Sequence, residues 1–201
     1  MKKILPLFSY LFHPIFIPVF GTWLYLSYTE NYFAAERQYL ILFQVVIITV
    51  LIPVSFFYLL KTLGKVDSVM LSDLSQRKIP LLIQSILILI LLKKSISIDD
   101  VPEMFFFFLG GLISTVLTLI LLFAKIKASI HMIGIATLTV FAIGFSLHSQ
   151  TNILPWIALL ILMNGIVAAS RLYMQAHSVN EITIGFFLGV IPQLLLWKLW
   201  L

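Results

Sequence analysis

Seven long apolar stretches separated by short polar links constrain this chain more than any other feature. A helix needs about 20 apolar residues to cross a hydrocarbon layer ~30 Å thick. Inside lipid, every backbone polar group must be bonded within the chain. The stretches lie near 4–28, 38–60, 79–93, 104–123, 131–148, 153–171 and 181–200. They predict an all-α polytopic transmembrane helical bundle of six to seven spans, forming one integral membrane domain over residues 1–201. Composition agrees: 61% of the 201 residues are hydrophobic and 10% charged, against roughly 45–50% and about 25% in soluble domains. A water-soluble domain is excluded. The absence of Cys removes disulfides, thiolate metal sites and cysteine nucleophiles. The net charge of +5 is scattered between spans, so the expected partner is the lipid bilayer and not nucleic acid.

Local signals refine the spans. Lys2 and Lys3 followed by Ile4 to Phe12 imitate a secretory signal. His13-Pro14 breaks that run and no small-residue cleavage site follows, so the segment reads as a retained first span. Pro14 and Pro18 predict a kink in it. The third stretch is short enough to suggest a partly re-entrant helix. Asp100-Val101-Pro102-Glu103 reads as a capping box opening the fourth span. Phe105 to Phe108 read as lipid-facing bulk, and Trp23, Trp156, Trp197 and Trp200 as an interfacial belt. Gly185-xxx-Gly189 reads as close packing inside the bundle. His13 and His148 read as interfacial residues.

Span alternation assigns Lys2, Lys3, Lys61, Lys65, Arg77, Lys78, Lys125, Lys127 and Arg171 to one membrane face. Arg37, Lys93, Lys94 and Lys198 fall on the other, with Glu30, Glu36, Asp99, Asp100 and Glu103. The positive bias predicts that the first face is cytoplasmic, and a multi-pass protein of a cell inner membrane is the expected setting.

Three polar clusters fall on that first face. They are Asp73 to Pro80 before the third span, Lys127 to His131 at the start of the fifth, and Ser170-Arg171, His177 and Glu181 between the sixth and seventh. Residues four apart share a helical face, so Glu181 can hold one ring nitrogen of His177 and leave the other basic and aimed. Lys127 and His131 share a face in the same way, with the Ser129 hydroxyl nearby. Arg77 and Arg171 offer planar forks suited to phosphate oxygens. The result is a candidate phosphate pocket needing no metal or cofactor. Plainer readings stand beside it. Asp73 could hold Arg77 in an ion pair, Lys125 and Lys127 could anchor topology, and His131 could bond a neighbouring helix.

Ser170-Arg171-x5-His177-x3-Glu181 resembles the third signature of the type 2 phosphatidic acid phosphatase (PAP2) superfamily, which ends in Asp where this chain has Glu181. Ser129-Ile130-His131 resembles the second, with Ile130 in place of glycine. Arg77-Lys78-Ile79-Pro80 is similar to the first, with Met70 where its lysine is expected, so that Lys65, Lys78 or Lys127 would have to serve. The resemblance spans about residues 73–189. The wider wording, from His13-Pro14 through Ser129 to Gly134 to Ala176-His177, resembles small membrane proteins of Bacteroidetes-type bacteria.

That resemblance implies a PAP2-like core and a lipid phosphatase hydrolysing a phosphomonoester or pyrophosphate lipid. His177 would attack phosphorus and carry a phosphohistidine, Glu181 would orient it, and His131 would protonate the leaving oxygen. Arg171, Arg77, Ser129 and a lysine, Lys127 or Lys78, would hold the phosphate. The alternatives are a degenerate relative that binds anionic lipids or a partner, and a small transporter. The transporter predicts ionisable groups midway through spans, where only Gln44, Gln84 and Asn164 occur. A magnesium-dependent prenyltransferase would want denser acidic motifs than Asp67 and Asp73 supply.

Overall fold

The computed structural model describes residues 5–29, 33–66 and 74–201. Its described residues form helices and no strands: α1 (Leu5–Leu11), α2 (Ile17–Tyr28), α3 (Ala35–Val46), α4 (Ile52–Thr62), α5 (Leu74–Lys94), α6 (Pro102–Phe123), α7 (Ile130–Ser149), α8 (Leu154–Tyr173) and α9 (Val179–Trp200). Joined end to end where they run on, they make seven helices long and apolar enough to cross a membrane.

Two spans are interrupted, and proline accounts for both. In the first, His13 is extended (φ −63°, ψ 137°) and Pro14 opens a 3-10 turn, Pro14–Phe16, before α2 begins. Proline cannot donate to a helix and clashes with the carbonyl four residues back. The predicted kink is therefore a true break. In the second, a π turn at Ile47–Leu51 precedes Pro53. A widened turn makes room for the ring without ending the helix.

The bundle is built around α7. Two thirds of its apolar window (67%) is buried, whereas no other span exceeds 39%. Its largest partner is α9, and the reason is the pair of glycines. A Cβ on Gly185 would stand 2.5 Å from the Ser129 carbonyl oxygen, and one on Gly189 2.5 Å from that of Ile133. Small residues let the two backbones approach, so the predicted intrabundle packing holds. The approach also lets the Ser129 N–H donate to the Glu181 carbonyl at 3.0 Å, tying the starts of α7 and α9 together. On the far side of α9, the buried Gln193 amide donates to the Phe107 carbonyl at 2.9 Å.

Several expectations need correction. The third span is a full 21-residue helix, not a re-entrant one; its first turns are polar because they carry Arg77 inward. The N-cap of α6 is Val101 with no side-chain cap bond. Asp100 instead pairs with Arg37 at 3.1 Å, while Glu103 accepts from Tyr25 and pairs with His148. Phe106, Phe107 and Phe108 are buried core, because α6 is flanked by α5, α9, α7 and α2. Trp23 and Trp156 do meet edge to face near one end of the bundle. Trp200, however, is buried against Phe141, and Trp197 packs on Gly144. Met70 and Asp73, with the ion pair expected of Asp73, lie outside the described residues, as do Lys2, Lys3, Glu30 and Asp67.

Candidate anion site at one end of the bundle

Four separate stretches of chain deliver polar groups to one end of the bundle. α5 brings Arg77 in its first turn, α7 brings His131, the end of α8 brings Arg171, and the link into α9 brings His177. All four line a single cavity of about 580 Å³. That is a typical size for a small-molecule pocket. The cavity has two ends of different character. Beyond the polar groups its wall is apolar, formed by Pro53, Val54, Phe57, Ile88, Phe107 and Phe108 among others.

His177 is the best-defined group. Ser178 caps α9 by accepting the Glu181 N–H at 3.3 Å, and the helical turn that follows carries Glu181 beneath the imidazole. The carboxylate oxygen Oε2 lies 2.6 Å from His177 Nδ1, so Nδ1 carries the proton and Nε2 holds a lone pair. The residue is 7% exposed. Burial pushes its pKa down from the ordinary 6.5 to about 4; the Glu181 bond pulls it up, and the charges of Arg77, Lys127 and Arg171 push it further down. At neutral pH the ring is uncharged.

The two guanidiniums are also buried, Arg77 at 5% and Arg171 at 3% exposed. Arg77 donates to the Ala128 carbonyl at 3.4 Å. Arg171 Nη1 approaches the Met174 sulfur at 3.9 Å, and its Nε has no partner among the described residues. Buried charge costs several kcal/mol per ion unless something compensates it. Among the described residues Glu181 is the one carboxylate at this end of the bundle. A buried guanidinium with an unpartnered Nε, Arg171, beside a hollow suits an anion.

Of the other expected residues, Lys127, Ser129 and Lys78 sit behind the cavity wall or away from it. Lys127 Nζ donates to the Ala176 carbonyl at 2.9 Å and lies 3.5 Å from Glu181 Oε2. It braces the His177–Glu181 pair and does not line the cavity. Ser129 is fully buried beneath α9, and its Oγ has no partner among the described residues. Lys78 points away, its ammonium 4.8 Å from the centre of the Phe123 ring; cation–π attraction holds it there. His131 bonds a neighbouring segment through Nε2, 3.1 Å from the Ser9 carbonyl.

Sequence reasoning missed the contribution of the first span. Ser9 and His13 line the same cavity, and the His13 ring meets that of His131 edge to face at 5.2 Å. Ser9 Oγ shares a 2.7 Å hydrogen bond with Ser170 Oγ. The usable signal was the histidine itself: an ionisable side chain within an apolar run is costly in lipid and tends to be functional. No group of three His, Cys, Asp or Glu side chains able to hold a metal ion is found among the described residues. Compared with protein-family models, curated protein sequences and solved structures, the chain matches none.

Proposed function

We propose that this chain is a membrane lipid phosphatase of the type 2 phosphatidic acid phosphatase kind, acting at the cytoplasmic face of a bacterial inner membrane. One observation carries the reading: an imidazole whose Nδ1 is held by Glu181 at 2.6 Å faces a cavity that also holds two buried guanidiniums and an apolar wall. The polar end suits a phosphate and the apolar end the hydrocarbon that bears it. The charge bias of the loops supports the choice of face.

The reaction follows from the assigned atoms. His177 Nε2 attacks phosphorus, forming an N–P bond as the P–O bond to the lipid breaks. Nδ1–H stays on Glu181, which stabilises the imidazolium that forms. Arg77 and Arg171 face the charge gathering on the non-bridging oxygens. The leaving oxygen takes a proton from His131. Because His131 Nε2 is engaged by the Ser9 carbonyl, that proton passes through Nδ1, which takes it from the bound phosphate monoanion. Water then attacks phosphorus and gives its proton back to His131, the N–P bond breaks, and phosphate leaves.

A second reading, anion binding without turnover, is favoured by that same Ser9 contact, which leaves His131 one nitrogen for proton delivery. Purified protein in lipid nanodiscs separates the two. With phosphatidate, phosphatidylglycerophosphate and an isoprenyl diphosphate as substrates, phosphate release is expected from at least one. His177→Ala should lower it by about 10³-fold or more. Release unchanged by that substitution overturns the phosphatase reading.

A further inference from the structure

The cavity wall contains a third imidazole, and the three rings differ in which nitrogen is engaged. His177 commits Nδ1–H to Glu181 and keeps a lone pair on Nε2. His131 commits Nε2–H to the Ser9 carbonyl and keeps, when neutral, a lone pair on Nδ1. His13 is the reverse of both: its Nδ1 accepts the Ile15 N–H at 3.3 Å, so the neutral ring carries its proton on Nε2. No hydrogen bond to that nitrogen is found among the described residues. Of the three rings in their neutral forms, His13 alone has an N–H left to give.

Its position is fixed from two sides. Ser9, one turn earlier, is tied to Ser170, the neighbour of Arg171, and the His131 ring stands edge-on to the His13 ring. The break at Pro14 is what turns this part of the first span into the cavity wall. From this arrangement we infer that His13 is an anion-contacting residue, whose neutral Nε2–H donates to a non-bridging oxygen of a phosphate group held by Arg77 and Arg171. A neutral donor adds a directed hydrogen bond without placing another full charge beside two buried guanidiniums. The inference rests on the cavity being an anion site, and it does not require turnover.

The test uses the full chain in nanodiscs with inorganic phosphate as the probe. His13→Phe keeps a ring against His131 and removes the N–H; His13→Gln keeps an N–H donor. Loss of a hydrogen bond to a charged group predicts phosphate binding weakened about tenfold to a hundredfold by His13→Phe, and by less than about threefold by His13→Gln. In the wild-type protein, the ¹⁵N signal of His13 Nε2 should shift as phosphate is added; this needs no variant and stands if His13→Phe fails to fold. Phosphate binding unaltered in His13→Phe, or a His13 signal unmoved by phosphate, overturns the inference. Lipid hydrolysis that persists alongside either result leaves the phosphatase reading intact. Normal phosphate binding through His13 with no hydrolysis of any lipid does the opposite.

Discussion

The bundle carries a histidine–carboxylate pair at each end, and the two differ in everything but their chemistry. At one end His177 and Glu181 lie on a single turn, 2.6 Å apart, with the ring facing a cavity shared with Arg77 and Arg171. At the other, His148 of α7 reaches Glu103 of α6 at 3.3 Å, Tyr25 donates to the second carboxylate oxygen at 3.2 Å, and Trp200 stands edge-on to the imidazole. The second pair ties three helices together; none of its members lines the cavity. The arginines differ in the same way. Arg37 is half-exposed and neutralised by Asp100, while Arg77 and Arg171 are buried at the end where Glu181 is the one described carboxylate. A His–Glu pair alone therefore predicts little. A hollow beside it, and a buried guanidinium nitrogen of Arg171 without a partner among the described residues, make it a candidate for chemistry.

Substitutions at the two ends can break this contrast. The largest effect is expected at Arg171. Removing one group that faces the developing charge typically costs about 10²–10³ in rate, so Arg171→Ala should lower kcat/KM for lipid phosphate release by that factor. Arg37→Ala should leave it within about twofold. Equal losses from both would mean that the buried guanidinium acts only through stability.

A smaller effect is expected from Glu181→Gln. The amide no longer holds the proton on Nδ1 as a carboxylate does, and loss of an orienting partner costs roughly 10–100-fold where a histidine must be aimed. The pH profile sharpens the point. His177 is useful when neutral, and burial places its titration near 4. The wild-type rate should thus have no acid limb from this group between about pH 5 and 8, with loss below that range as the ring gains a proton. Glu181 pulls the His177 pKa upward, so the acid limb should move lower in Glu181→Gln, not higher. At the opposite end, Glu103→Gln should leave turnover unchanged and lower thermal stability by about 1 kcal/mol, as for weakened hydrogen bonds to His148 and Tyr25.

What the sequence disclosed, and what it hid, follow from the physics of lipid. Spans were legible because a hydrocarbon layer demands long apolar runs, and each of the seven stretches corresponds to one of the seven helices long and apolar enough to cross a membrane. The start of α5 was not, because Arg77 reads as loop when it is inward-facing helix. Which side of α6 faces its neighbours was also hidden: lipid and bundle interior are equally apolar, so Phe106 to Phe108 look the same in either place. The His177–Glu181 contact was legible from helical spacing alone. Lys78 was not, since a cation at a span start looks identical whether it lines a cavity or lies over Phe123. His13 escaped because its place depends on the break at Pro14 and on α1 packing against α8, neither of which a residue pattern encodes.

Acid-stable chemistry at serine or threonine and acid-labile chemistry at histidine are readily told apart, which makes intermediate trapping the most direct measurement. Protein mixed with a ³²P-labelled lipid phosphate, quenched in alkali within a turnover and digested, should yield label on the peptide containing His177. That label should survive alkali, disappear in acid, and be absent from His177→Asn. Lipid phosphate turned over with no label at His177, or with label retained in His177→Asn, would contradict the assignment of this imidazole as the nucleophile.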